Sequence, residues 1–191
     1  MNEEATFLEW LTGALRRAGI PYMVCGSVSS TYYGEYRATN DVDVVIEPTE
    51  AALEEFVRTV GRDCYVNAAT ALEALRHRSM FNVIHLSTAW KADLIVRKNR
   101  PYSLEEFRRR REVDFRGLRL SIASPEDVIL SKLEWARAAE SPQQYRDALG
   151  VALLQWQELD VPYLRRWAAE LGLTEPLDHL LEETRRGQPP E

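Results

Sequence analysis

Two segments decide the fold, Tyr22-Met23-Val24-Cys25-Gly26-Ser27 and Asp41-Val42-Asp43-Val44-Val45-Ile46, with residues 28–40 between them. In the first segment a short apolar run meets Gly-Ser, which predicts a strand, a tight turn and a short helix reaching Gly34. The second segment is rich in β-branched residues and alternates polar with apolar side chains at its start. It therefore predicts a second strand.

The two aspartates of the second segment are candidates for a metal site. Successive side chains of a strand point to opposite faces, so Asp41 and Asp43 share one face while Val42 and Val44 enter the core. Two carboxylates this close repel each other unless a divalent cation neutralises them. Oxygen ligands without His or Cys nearby favour Mg²⁺ or Mn²⁺ over zinc. A calcium loop starting at Asp41 is excluded, because Ile46 stands where such a loop needs glycine.

The Gly26-Ser27 pair predicts a phosphate site. A glycine at a strand-to-helix turn lets the backbone approach a ligand closely, and the first turn of the new helix presents free N–H groups with a partial positive charge. Ser27 adds a hydroxyl. An anion site combined with a metal site is suited to a metal–nucleotide substrate.

Hydrophobic periodicity predicts the remaining elements. Helices are expected over residues 4–18, 49–60, 69–76 and 103–111, and strands over residues 81–86 and 90–96, which would form an antiparallel hairpin. Residues 118–122 alternate like an edge strand, and helices follow near residues 125–140, 142–157, 160–171 and 175–186. The sequence thus predicts an α+β unit over residues 1–122, a helical region over residues 123–187 and a frayed tail over residues 188–191.

Composition excludes several classes of protein. The 191-residue chain carries a formal net charge of −6, which argues against a general nucleic-acid coater, although residues 97–137 carry 11 basic and 7 acidic residues. No apolar run approaches the roughly 20 residues of a membrane helix. The chain has no P-loop, no Gly-x-Gly-x-x-Gly motif and no nucleophile elbow. The acidic N-terminus without a signal-peptide pattern predicts a cytoplasmic protein, with Cys25 and Cys64 reduced.

The order of these motifs resembles the DNA polymerase β-type nucleotidyltransferase superfamily. Its defining motif is a hydrophobic residue before Gly-Gly or Gly-Ser, a spacer, and then Asp-h-Asp or Asp-h-Glu, where h is hydrophobic. Here the motif reads Val24-Cys25-Gly26-Ser27 and Asp41-Val42-Asp43-Val44, and Asp93 matches the third carboxylate on a later strand. The resemblance implies a mixed sheet flanked by helices, followed by a C-terminal helical bundle that completes the cleft.

A longer pattern resembles the bacterial AbiEii-like branch of type IV toxin–antitoxin systems and related nucleotidyltransferases. The pattern is Tyr33-Gly34-x-x-Arg37-x-Thr39-x-Asp41-x-Asp43, with a downstream Pro125-Glu126-Asp127…Lys132-Leu133 and a later Arg146-Asp147. This branch implies a cognate toxin or antitoxin as a partner.

The resemblance implies transfer of a nucleoside monophosphate from a nucleoside triphosphate, such as ATP, to an acceptor hydroxyl. Asp41, Asp43 and Asp93 would hold two Mg²⁺ or Mn²⁺ ions, and Asp93 is a candidate general base. Lys132 and Arg37 would neutralise the triphosphate, and Asp147 would orient one of them. The full set of nucleotide-binding candidates is Gly26, Ser27, Arg37, Thr39, Lys132 and Asp147.

The sequence leaves open the identity of the acceptor and whether the chain is an enzyme at all. The acceptor is a tRNA 3′ end, a protein hydroxyl or a small hydroxyl compound such as an aminoglycoside, and Arg97, Lys98 and Arg100 are candidates to meet acceptor phosphates. The run Arg108 to Arg111 is expected to wrap round a helix as a solvated element. The alternative to an enzyme is a non-catalytic nucleotidyltransferase-fold module with a binding or antitoxin role.

Overall fold

The computed structural model describes residues 3–34 and 40–188. Its elements in chain order are α1 (Glu3–Arg17), β1 (Tyr22–Val24), α2 (Gly26–Tyr33), β2 (Asp41–Ile46), α3 (Glu50–Val60), β3 (Cys64–Tyr65), α4 (Ala68–His77), β4 (Met80–His85), β5 (Lys91–Val96), α5 (Pro101–Arg108), β6 (Arg111–Phe115), β7 (Leu118–Ile122), α6 (Pro125–Ala139), α7 (Pro142–Gln155), α8 (Val161–Leu171) and α9 (Thr174–Gly187). A 3-10 turn, Trp156–Glu158, follows α7. The predicted α+β class is confirmed.

Local capping residues set several helix boundaries. The Thr49 side chain accepts a hydrogen bond from the Ala52 backbone N–H and begins α3. Ser124 does the same for the Asp127 N–H at the start of α6, where Pro125 occupies the first helical position. These side chains satisfy N–H groups that have no partner inside the helix, which is why the predicted helix starts agree with the structure.

The strands form one mixed sheet in the order β3-β4-β5-β2-β1-β7-β6. Strand β2 pairs antiparallel with β1 and parallel with β5, and β4 pairs antiparallel with β5, which confirms the predicted hairpin. Strand β1 also pairs in parallel with β7. This places β2, with its two aspartates, in the middle of the sheet.

One face of the sheet forms a hydrophobic core with helices. Val42, Val44 and Ile46 of β2 are fully buried, as are Ala92 and Leu94 of β5. On this side Phe7 of α1 stacks on Trp90 and also contacts the His85 ring, and α4 packs against β4 and β5. The alternate residues of β2 and β5 therefore lie on the opposite face.

Two predictions near residues 103–122 are wrong. Helix α5 ends at Arg108, and Arg111 already begins β6, so the arginine run does not wrap round one helix. Strand β7 is not an edge strand, because β6 pairs with it on its outer side. The turn between them, Arg116-Gly117, has positive φ at both residues (55° and 82°), the geometry of a tight two-residue hairpin. Strand β6 is largely exposed and charged and therefore lacks the apolar alternation that would reveal a strand.

The described residues divide into two compact units, residues 3–25 with 40–122, and residues 26–34 with 123–188. The first unit contains the sheet and helices α1, α3, α4 and α5. The second contains α6 to α9 and also α2, which the sequence-based division places with the sheet. In this second unit α2 packs against α6 and α7, and its core includes Val28, Leu133, Val151 and Leu164.

Within the part of the chain that the structure describes, no helix has both the length and the apolar character needed to cross a bilayer.

Candidate active site

The face of the sheet opposite the hydrophobic core carries three carboxylates at adjacent positions. In the parallel pairing of β2 with β5, Asp43 lies opposite Asp93, and Asp41 lies opposite Lys91. Neighbouring strands are about 4.8 Å apart, and residues paired in register point to the same face. Asp41, Asp43 and Asp93 therefore rise from one face of two adjacent strands, as the spacing of the motif predicts for the first two.

The Asp93 carboxylate accepts from two side chains, the ammonium of Lys91 and the amide of Asn82. The Nζ atom of Lys91 lies 3.0 Å from Asp93 Oδ1, and Asn82 on β4 donates from Nδ2 to the same oxygen at 2.5 Å. Asn82 is the register partner of Asp93 across the β4–β5 pairing. One oxygen of the third carboxylate is therefore already held by two donors.

The ammonium of Lys91 lies in the field of all three carboxylates. Its pKa is raised from the ordinary value, first by the hydrogen bond to Asp93 and further by the negative charges of Asp93, Asp41 and Asp43, against a partial desolvation that lowers it. The side chain therefore stays positively charged at neutral pH and offsets part of the repulsion among the carboxylates.

The donor set fits a divalent metal ion by its chemistry. All three side chains offer hard oxygen donors, which suit Mg²⁺ or Mn²⁺, and the Lys91 ammonium already provides positive charge among them. In residues 3–34 and 40–188, however, no group of three or more His, Cys, Asp or Glu side chains comes together closely enough to hold a metal ion as it stands. Metal binding at all three carboxylates thus requires side-chain movement.

The predicted phosphate-binding pair lies at the first turn of α2. Gly26 has a φ of +59°, a left-handed conformation that glycine adopts without strain. Ser27 is buried, and its Oγ has no hydrogen-bond partner among the described residues. A buried hydroxyl without a partner is costly, and a phosphate oxygen would satisfy it together with the free N–H groups of the helix start. Both residues therefore fit the predicted role.

The strand that leads into this turn is tied to β2 at the carboxylates. The Cys25 backbone N–H donates to the Asp43 carbonyl oxygen at 2.9 Å, and the Cys25 thiol contacts the same oxygen. Cys25 is thus level with Asp43 in the sheet.

Lys132 and Asp147 form an ion pair inside the helical unit. Lys132 Nζ lies 3.0 Å from Asp147 Oδ2, and the two side chains are only 6% and 9% exposed. Gln143 donates from Nε2 to the other Asp147 oxygen at 2.7 Å. Of the two options that the sequence left for Asp147, orienting Lys132 agrees with this contact. Arg37 and Thr39 lie outside the described residues.

Arg97, Lys98 and Arg100, which follow β5, are the predicted contacts for acceptor phosphates, but two of them already have partners within the protein. Arg97 is buried and forms an ion pair with Glu47, and Arg100 donates to Ser103 Oγ at 2.9 Å and lies over the Tyr102 ring. Of the three candidates for acceptor phosphates, Lys98 is the one that is exposed.

Sequence reasoning missed Asn82 and Lys91. Lys91 carries a local signal, since it lies two residues before Asp93 on a strand and must therefore share its face. Asn82 carries none, because its place beside Asp93 depends on the pairing of β4 with β5.

No protein-family model and no curated protein sequence matches the chain. Several solved structures share its fold. A nucleotidyltransferase-like protein from Paracoccidioides brasiliensis is 17% identical, with a TM-score of 0.57 over 93% of this chain and 91% of that one. The antibiotic-resistance factor ANT(2'')-Ia, solved with adenylyl-2''-tobramycin, is 13% identical, with a TM-score of 0.56 over 89% and 97% of the two chains. The lincosamide antibiotic adenylyltransferase LnuA, solved with lincomycin, is 9% identical, with a TM-score of 0.54 over 79% and 96%.

These similarities establish the fold class. The chain shares the fold of these nucleotidyltransferase structures, with a mixed sheet, flanking helices and a C-terminal helical region. The AbiEii-like branch stays a prediction.

Proposed function

We propose that the chain is a metal-dependent nucleotidyltransferase that moves a nucleoside monophosphate from a nucleoside triphosphate to an acceptor hydroxyl, with release of pyrophosphate. The observation that carries the proposal is the register of β2 with β5, which brings Asp41, Asp43 and Asp93 to one face of adjacent strands. Carboxylates in such a group are costly without a cation, and the overall fold is that of known nucleotidyltransferases.

In this proposal the protein positions its substrates and neutralises charge. Asp41, Asp43 and Asp93 would hold divalent ions, and such ions would offset the charge of the triphosphate and lower the pKa of the acceptor hydroxyl. Gly26 and Ser27 bind phosphate oxygens through backbone N–H groups and the unpartnered Ser27 hydroxyl. Asp93 would take the acceptor proton on its carboxylate oxygen other than Oδ1, the oxygen to which Asn82 and Lys91 donate.

A small hydroxyl compound is the acceptor that the observations favour. LnuA was solved with lincomycin and ANT(2'')-Ia with adenylyl-2''-tobramycin, and LnuA is an adenylyltransferase, which makes ATP the donor to test first. An RNA end would need exposed cations for its phosphates, whereas Arg97 and Arg100 are engaged within the protein. tRNA and protein acceptors are kept as outcomes of the test.

The test is transfer of label from each α-labelled nucleoside triphosphate, with Mg²⁺, to separate pools of aminoglycosides and lincosamides, tRNA and protein. We expect labelled product in one pool with the wild-type chain and none with Asp43→Asn. Asp63→Asn is the matched control, because Asp63 is an exposed aspartate in the same unit, and it should keep full transfer. Transfer by Asp43→Asn at the wild-type rate would contradict the proposal.

A non-catalytic module is the second candidate. It is favoured by one observation, namely that Asp93 Oδ1 is already engaged by Asn82 and Lys91. A thermal-shift assay with Mg²⁺ and each nucleoside triphosphate separates the two candidates, since a ligand at 100 times its Kd stabilises the folded state by about 2.7 kcal/mol. Stabilisation without transfer to any pool supports the module, and stabilisation with transfer supports the enzyme.

We also propose a toxin–antitoxin role and a cytoplasmic location. The toxin–antitoxin role is tested by co-purification of the tagged chain with products of neighbouring genes and by growth arrest on expression, with Asp43→Asn as the control. Cell fractionation tests the location. Arrest by the wild type alone, relieved by a neighbouring gene, supports the role.

A further inference from the structure

We propose that Lys91 is the resident cation of the carboxylate face and that a divalent metal ion has to displace its ammonium from Asp93 in order to bind. The proposal rests on the proposed function, since it assumes that the carboxylates bind metal. It goes further by assigning to Lys91 control over how tightly metal binds.

The position of Lys91 follows from strand geometry. Lys91 and Asp93 lie two residues apart on β5, so both side chains project from the same face, and Lys91 is also the register partner of Asp41. Its Nζ lies 3.0 Å from Asp93 Oδ1. The ammonium is thus bound to the third carboxylate and directly beside the first.

The contacts of Asp93 show what a metal ion has to replace. Oδ1 accepts from both Asn82 Nδ2 and Lys91 Nζ, so this oxygen has no room for a metal ion while both donors stay. Asn82 is neutral and belongs to the neighbouring strand. Lys91 is the charged donor, and its side chain is 39% exposed, so it can turn into solvent at little steric cost.

Charge makes the competition strong. A divalent ion at Asp93 would lie within a few ångströms of the ammonium if Lys91 did not move, because Lys91 Nζ is 3.0 Å from Asp93 Oδ1. Two cations at that distance repel each other strongly in a partly desolvated site. Lys91 therefore reduces the repulsion among the carboxylates in the metal-free protein. It also lowers the affinity of the site for a metal ion in the absence of nucleotide.

The experiment measures Mn²⁺ binding to the purified full chain without nucleotide, by calorimetry and by the electron paramagnetic resonance signal of free Mn²⁺. Lys91→Gln removes the charge and should bind Mn²⁺ at least about tenfold more tightly than the wild type. Lys91→Arg keeps a cation at this position and should stay close to the wild type. Lys98→Gln is the matched control, because it removes the same charge from an exposed position outside β5, and its affinity should not change.

Folding is checked for each variant by circular dichroism and thermal unfolding. Without metal, Lys91→Gln should unfold at a lower temperature than Lys98→Gln, because Asp93 loses the ammonium that pairs with it. Added Mn²⁺ should remove this difference in unfolding temperature.

Three results would overturn the inference, and they separate it from the proposed function. Unchanged or weaker Mn²⁺ binding by Lys91→Gln, with measurable binding by the wild type, refutes the role of Lys91 and leaves the metal site intact. Equal tightening in Lys98→Gln shows that only net charge matters and refutes it as well. Absence of Mn²⁺ binding in the wild type and in Lys91→Gln refutes the inference and the metal-dependent function together.

Discussion

Asp43 lies directly opposite Asp93 where β2 and β5 run in parallel, and both side chains leave the sheet on the same face. The two residues are far apart in sequence, yet their carboxylates belong to one charged group. Any cation that binds one of them therefore acts on the other.

The first prediction concerns the coupling of metal binding to stability. Asp43→Asn removes a negative charge from a face where like charges repel, so the variant should unfold at the same temperature as the wild type or slightly above it when no metal is present. Mn²⁺ should raise the unfolding temperature of the wild type and leave that of the variant unchanged, because only the folded wild type binds the ion. Differential scanning fluorimetry with and without Mn²⁺ measures both effects.

Asp63→Asn is the control for this experiment, since it removes a charge from an exposed position in the same unit. It should retain the full Mn²⁺-dependent shift. An equal shift in Asp43→Asn and Asp63→Asn would show that the ion binds elsewhere.

The second prediction concerns the ion pair between Lys132 and Asp147, which is almost fully buried. Lys132→Met removes the ammonium that pairs with the buried Asp147 carboxylate, while the hydrogen bond from the neutral Gln143 amide can remain. Removing one partner of a buried pair costs about 3–5 kcal/mol of unfolding free energy, because the charge that remains is buried without the partner that offset it. Urea unfolding of Lys132→Met, Asp147→Leu and the double variant measures the coupling, and we expect the double variant to be more stable than either single one.

The exposed pair Arg165–Asp178 provides the comparison. Its N–O distance is 2.7 Å, shorter than that of the buried pair, but the side chains are 56% and 50% exposed. Arg165→Met should therefore cost only about 0–1 kcal/mol. A similar loss in both pairs would mean that burial does not determine the strength of the Lys132–Asp147 interaction.

The central part of the fold was predictable from sequence because its signals are local. The alternation in residues 41–46 identifies β2 and places Asp41 and Asp43 on one face without any knowledge of its partners. Capping residues such as Ser124 likewise mark helix starts through contacts within one turn. The two strands that sequence analysis missed, β3 and β6, have no such signal: the first has two residues, and the second is an exposed edge whose side chains need no apolar pattern.

The candidate site was only partly predictable, because several of its contacts join distant parts of the chain. Asn82 reaches Asp93 through the β4–β5 pairing, and Arg97 is neutralised by Glu47 on the loop after β2. From the sequence alone, Arg97 is a charged residue that could bind a ligand. Burial and pairing, which depend on tertiary structure, decide whether it is.

The third prediction concerns close packing at Gly34, which belongs to the motif that resembles the AbiEii-like branch. A Cβ atom at this position would lie 2.8 Å from the Ser30 carbonyl oxygen and 3.2 Å from the Val151 backbone nitrogen. Backbone atoms cannot move aside as side chains can, so Gly34→Ala should destabilise the chain by about 1–3 kcal/mol. The glycine thus has a packing role between α2 and α7.

Gly150 is the matched control, because it lies within α7 and a Cβ there would meet nothing within 4 Å. Gly150→Ala should stabilise the chain by about 0.5–1 kcal/mol, since alanine loses less backbone entropy than glycine in a helix. Chemical denaturation of both variants should show changes in unfolding free energy of opposite sign. A neutral Gly34→Ala would show that α2 and α7 are free to separate at this point.

The fourth prediction concerns the thiol of Cys64, whose side chain is buried in the sheet unit. Burial raises the pKa of Cys64 from 9.0 to about 12, with a smaller contribution from the negative charge of Asp63. Because the pKa in the folded state is higher than in the unfolded state, the neutral thiol contributes its full stability below pH 9. That contribution is lost as the pH rises from 9 towards 12.

Cys64→Ala removes this dependence and isolates it from the other groups that titrate at high pH. The difference in unfolding free energy between the wild type and Cys64→Ala should be constant below pH 9 and should shrink in favour of the variant above it. The same pKa predicts slow alkylation of the native thiol, because only the thiolate reacts. In a Cys25→Ala background, iodoacetamide at neutral pH should modify Cys64 far more slowly in the folded chain than in urea. Equal rates in the two states would show that Cys64 is accessible and that its thiol titrates normally.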